Sequence, residues 1–108
     1  MEYIKIKWEH SYECEPTLIY SELDSDRYEI RKIEIYPNGD IGYASEYINT
    51  KETSLGEEPF PEVDIYNKLN KEVDDEWDEF LEAEVIEKSQ FEDIWVKKVK
   101  GKKLLEDE

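Results

Sequence analysis

From Tyr3 to Trp8 apolar and charged residues alternate, with Ile4, Ile6 and Trp8 on one parity and Lys5 and Lys7 on the other. A period of two sends successive side chains to opposite faces, so this segment predicts a half-buried β-strand. The HSYECEP that follows reads as a loop, because Pro16 brings no amide donor and restricts Glu15 before it. Thr17 to Tyr20 predicts a second short strand, which leaves through the polar, turn-prone SELDSD.

In RYEIRKIEIY, Arg27 to Tyr36, the alternation changes parity: Tyr28 and Ile30 share one, Ile33 and Ile35 the other. A bulge near Arg31 or Lys32 would insert one residue and return both halves to the core face. Pro37-Asn38-Gly39-Asp40 then predicts a tight hairpin turn, with Asn-Gly supplying positive-φ positions, and IGYASEY returns as the partner strand. Residues 48–61 are polar, carry Gly and Pro, and read as a surface connection. A helix is predicted from Pro61, with Val63, Tyr66 and Leu69 at helical spacing and Asn70 near its end.

The second half is dominated by DDEWDEFLEAE, Asp74 to Glu84. Glu82 to Glu87 fits either an edge strand or the tail of a helix starting near Asp74, and periodicity leaves both open. Ser89-Gln90-Phe91-Glu92 fits a capping box at the start of a last helix that turns Phe91, Ile94 and Trp95 inward. Lys97 to Lys103 suit a helix C-terminus, where cations meet the negative end of the dipole, in a frayed tail. Strands first and helices after predict an α+β fold. Its antiparallel sheet is expected to have about four or five strands around a central hairpin, packed against one or two helices including a C-terminal one. One sheet face is expected to be covered and the other left to solvent or a partner.

With 108 residues the chain fits a single domain, 1–108, and its 38% hydrophobic and 13% aromatic content can build a core, so the 41% charged content belongs on a solvated surface. Asp and Glu total 30 against 14 Lys and Arg, a formal net charge of −16. A potential of that sign repels phosphate backbones and anionic membranes, so neither nucleic acid nor membrane is an expected partner. It speeds encounter with a basic protein. Cys14 is the only cysteine, which leaves no internal disulfide and no thiolate zinc cluster and suits a reducing cytoplasm. No signal sequence or membrane span is expected.

His10 is the only histidine, and with Cys14 it forms the one conceivable nucleophile–base pair; lone residues of this kind more often pack or sit on the surface. Asp24 and Asp26, with Glu22 nearby, hint at a calcium loop, but there is no Gly at the sixth position and no Glu at the twelfth. Asp as a turn cap is the simpler reading. No phosphate-binding, nucleophile-elbow or zinc pattern is present, and no enzyme activity, metal or cofactor is expected.

Within the acidic run, consecutive side chains on a helix would point different ways and make a poor metal cage. Trp77, set among Asp74, Asp75, Glu76, Asp78 and Glu79, instead has the make-up of a binding hot spot, an aromatic anchor among steering charges. These residues, with Glu22, Asp24 and Asp26 as a second acidic group, are the candidate partner-binding positions. If Trp77 is buried, the stretch is an acidic shell over a core helix.

The opening MEYIKIKW, YSELDSDRYEIRKIEIYPNGDIGYAS from Tyr20 to Ser45, and Leu55-Gly56-Glu57-Glu58-Pro59 together resemble a family of small acidic bacterial proteins of unknown function. The resemblance covers about the first half, and the chain is expected to depart from the family from Glu62 onward. It implies a shared fold and carries no active site over. Proteins of this size, charge and class are similar to immunity proteins of toxin systems, including contact-dependent growth inhibition, which neutralise nuclease toxins by binding them in the cytoplasm. The expectation is therefore a non-enzymatic immunity protein that blocks a basic ribonuclease or deoxyribonuclease. The alternative is a nucleic-acid mimic or regulatory adaptor that occupies a basic host protein.

Overall fold

The computed structural model describes residues 1–45, 53–72 and 80–100. Its strands are β1 (Glu2–Glu9), β2 (Leu18–Leu23), β3 (Glu29–Ile35), β4 (Ile41–Ser45) and β5 (Phe80–Ile86). Helix α1 (Val63–Glu72) precedes β5; α2 (Lys88–Ile94) follows it and runs on as a π-helical segment, Trp95–Lys100. The strands form one antiparallel sheet in the order β4-β3-β2-β1-β5, and the expected α+β architecture is present. The open choice at Glu82 to Glu87 resolves as strand: β5 pairs with β1 from Tyr3↔Ile86 to Glu9↔Phe80 and forms an edge of the sheet.

Both sheet faces are covered, which corrects the expectation of one bare face. On one side Phe91 and Trp95 pack on Tyr3, Tyr20 and Ile33. On the other, Phe60, Val63 and Tyr66 pack over Ile4, Ile6, Leu23 and Ala83. The reason lies in β1, where Tyr3 shares the parity of Lys5 and Lys7 yet is as buried as Ile4 and Ile6 on the opposite parity. The strand is apolar on both faces at its start and charged on one only further along. Complete burial of Phe91, at 0% exposure, contributes about 2–3 kcal/mol by itself.

β2 runs through Ser21, Glu22 and Leu23, all buried, where the sequence predicts a polar exit. The polar pair is tolerated because each side chain has partners: Ser21 Oγ donates to Glu29 at 2.7 Å, and Glu22 meets Arg31 and Tyr3. The parity change in β3 is a bulge, as expected, one residue earlier than anticipated: Glu22 opposes Arg31 but Leu23 opposes Glu29, which leaves Ile30 as the extra residue. It does not bring Tyr28 into the core; that ring stays exposed.

In the β3–β4 hairpin Gly39 N–H donates to the Tyr36 carbonyl, and of Asn38 and Gly39 only the glycine has positive φ, at 91°. The turn is therefore the αR-αR-αL form with a bulge rather than the doubly left-handed one. α1 starts close to its expected position, but Leu69, grouped by spacing with Val63 and Tyr66, faces solvent while Asn67 and Asn70 face inward. At α2 the cap is Glu87 instead of Ser89: Gln90 Oε1 accepts the Glu87 N–H at 2.9 Å.

Candidate functional site

Of the sequence-predicted binding residues, Asp74, Asp75, Glu76, Trp77, Asp78 and Glu79 lie outside the described residues. The other group is split by the fold. Asp24 is spent on its own turn, its Oδ1 accepting the N–H groups of Asp26 at 2.9 Å and Tyr28 at 3.0 Å. This is the turn-capping role expected of an Asp here. The turn also forces Arg27 to a φ of 70°, and Asp26 is left exposed. Glu22 is only 5% exposed, so its expected place on an outward acidic surface is corrected.

Glu22 instead anchors a buried ionic network that the sequence reading missed. Register sets Tyr3, Glu22 and Arg31 side by side on β1, β2 and β3, under α2. Arg31 grips the Glu22 carboxylate with two donors, Nε at 2.5 Å and Nη2 at 3.0 Å, and Nη2 reaches Glu92 on α2 at 2.7 Å. Tyr3 donates its hydroxyl to Glu22 at 2.6 Å. The guanidinium lies 4.8 Å from the Phe91 ring centroid and 5.0 Å from that of Trp95, so the cation is sandwiched between its carboxylates and two aromatic rings.

The titration behaviour follows. Burial pushes the Glu22 carboxyl upward, but hydrogen bonds from Arg31 and Tyr3 and the charges of Arg31 and Lys88 outweigh it and hold the group below its ordinary value. Burial and the neighbouring Glu22 carboxylate push the Tyr3 phenol up to about 12. Arg31 is raised as well, its desolvation offset by Glu22 and Glu92. The network holds its proton pattern through the neutral range and locks α2 to the sheet. A signal for it was present in the parity of Arg31, which falls with Ile33 and Ile35 on the core face of β3.

His10 and Cys14 are not brought together as a catalytic pair. Nδ1 of His10 accepts the Tyr12 N–H at 3.0 Å, which leaves the proton on Nε2 to be donated to the Pro16 carbonyl at 2.8 Å. The imidazole thus pins the β1–β2 loop between the rings of Trp8 and Tyr12. Cys14 sits exposed in an open depression lined by Glu13, Pro37 and Asn38, which among the described residues offers the thiol no imidazole and no cation to stabilise a thiolate. Among the described residues no group of three or more His, Cys, Asp or Glu is placed to hold a metal, and no helix is long and apolar enough to cross a membrane.

What faces outward is mostly carboxylate, with Lys7, Lys68 and Lys88 exposed among it. The chain's arginines, Arg27 and Arg31, both turn inward: Arg27 Nη1 bonds Glu2 at 2.7 Å while Nε and Nη2 hold the carbonyls of Phe60 and Pro61. Lys32 pairs with Glu29 and Lys97 with Asp93. The exposed side chains of Glu13, Glu15, Glu57, Glu58 and Asp64 make no ion pair among the described residues. The fold spends its strongest cations internally and leaves unneutralised acid at the surface.

Among curated proteins and among solved structures nothing matches the chain. A family model does, and it runs through residue 100, past Glu62, where the resemblance was expected to end. Matched over residues 2–100, the chain belongs to the family described as Domain of unknown function (DUF6881).

Proposed function

We propose that the protein is a non-enzymatic inhibitor of the immunity class, which neutralises a basic nuclease toxin in the cytoplasm by docking a carboxylate-rich surface in the toxin's substrate path. The observation that carries this reading is the division of charge. With a formal net charge of −16 and both arginines committed to partners within the fold, Glu13, Glu15, Glu57, Glu58 and Asp64 stand exposed without an ion pair among the described residues. A nuclease that grips phosphates needs Lys and Arg in its cleft, and carboxylates presented from a well-anchored surface substitute for those phosphates. The rigid, doubly covered sheet supports inhibition, because a preorganised surface loses little entropy on binding.

Co-expression tests it directly. An immunity gene adjoins the gene of its toxin, so the product of the adjoining gene should arrest growth alone and fail to do so when this protein is co-expressed. Arrest that persists, with no complex between the two purified proteins, would refute the reading.

A further inference from the structure

An ordinary surface helix buries its apolar stripe and exposes a polar one; α1 buries Val63 and Tyr66 against the sheet but carries a second apolar pair on its outer side. Asn67 and Asn70 face inward, Asn67 on the backbone of Ala83 and Asn70 on the Tyr66 carbonyl, while Ile65 and Leu69 are 52% and 54% exposed. Residues four apart stack on one side of a helix, so these two form a continuous apolar ridge. Glu62, whose carbonyl accepts the Tyr66 N–H and so begins the helix, stands three residues before Ile65 on the same side. The loop leading in presents Glu57 and Glu58, and Asp64 follows in the first turn. Acid near a helix N-terminus has an ordinary explanation in the dipole. The outward apolar ridge is not explained that way, and among the described residues nothing covers it.

The surroundings are built to hold this surface still. Gly56 N–H donates to Glu29 at 2.6 Å, and Arg27 fixes the carbonyls of Phe60 and Pro61, so the loop is tied to β3 and the β2–β3 turn at both ends. Asn67 exchanges two hydrogen bonds with Ala83, at 2.8 and 2.7 Å, and fixes α1 against β5.

We infer that the outer ridge of α1, Ile65 and Leu69 with Glu57, Glu58, Glu62 and Asp64 around its N-terminal end, is the surface that docks the basic partner. The inference rests on the inhibitor reading above and names its interface. The occupant is a protein with a Lys- or Arg-lined anion-binding cleft bordered by apolar surface. Charge complementarity selects it: Glu57, Glu58 and Asp64 are unpaired among the described residues and Glu62 only approaches Arg27, at 3.9 Å. An apolar centre inside a charged rim divides the work, the carboxylates steering encounter and the ridge slowing dissociation.

The test uses the full chain and the purified product of the adjoining gene, by surface plasmon resonance, with circular dichroism confirming that each variant is folded. I65S/L69S should raise the dissociation rate about tenfold or more, and E57Q/E58Q/D64N should lower the association rate and flatten its salt dependence. E13Q/E15Q, in the β1–β2 loop, should bind as the wild type does. Hydrogen exchange on the wild-type complex adds a measurement independent of any variant: amides of 57–69 should gain protection. If the wild type binds tightly while the α1 variants bind equally well and residues 57–69 exchange unchanged, the interface is elsewhere and the inhibitor reading stands. If the wild type neither binds nor protects, the reading and the interface fall together.

Discussion

Arg31 donates two hydrogen bonds to the carboxylate of Glu22 across the β2–β3 pair, and Tyr3 donates a third from β1. The pair is enclosed by the sheet below and by Phe91 and Trp95 above. Removing the Glu22 charge leaves Arg31 with Glu92 alone to compensate it, so Glu22→Gln should cost about 2–4 kcal/mol in urea unfolding. Replacing both, as E22L/R31M, removes the uncompensated ion and should leave the protein more stable than E22Q. A double variant no better than the single one would show that Arg31 is held chiefly by Glu92 and the rings.

The same network contributes at both pH limits, Tyr20 and Tyr66 adding to the alkaline one because burial raises both phenols. Glu22 is held below its ordinary value, so its contribution is present above the unfolded range near 4.5 and is lost as pH falls through the lower folded value. Tyr3 is raised from 10.0 to about 12, so its contribution is present below pH 10 and disappears as pH climbs from there toward 12. Tyr3→Phe should flatten the alkaline limb of a stability profile and E22Q the acid limb, both read by thermal melts at fixed ionic strength. An unchanged alkaline limb in Y3F would assign that limb to another group.

Asn67 acts as a substitute strand at the β5 edge, giving and taking the hydrogen bonds of Ala83 that a neighbouring strand would. Asn67→Leu leaves both backbone groups without partners in a half-buried position and should cost about 2–3 kcal/mol. Asn67→Asp keeps the acceptor and loses the donor, so it should fall between. Ala83 amide exchange and sedimentation velocity check this, with faster exchange and some self-association expected in N67L.

Arg27 combines a left-handed backbone, at φ 70°, with three side-chain anchors on Glu2, Phe60 and Pro61. Arg27→Ala loses the anchors and keeps the strain, whereas Arg27→Gly loses the anchors and relieves it. R27G should therefore be the more stable of the two by about 1 kcal/mol, the reverse of the order in a helix or strand. Denaturant midpoints of the two variants decide it.

Local patterning by itself determined β1, the β3–β4 hairpin about Pro37 to Asp40, a helix carrying Phe91 and Trp95 inward, and a strongly acidic surface. These rest on spacing between near neighbours and on summed charge, both of which a linear chain displays directly. Only the tertiary structure decided that β5 is a strand, that both sheet faces are covered, that Glu22 is inside and that Leu69 is outside. Whether a polar side chain can be buried depends on partners distant in sequence: Tyr3 meets Glu22 from 19 residues away, and Asn67 meets Ala83 from 16. Periodicity reports which positions are apolar, whereas long-range hydrogen bonding sets which polar ones join them in the core and so which carboxylates remain at the surface.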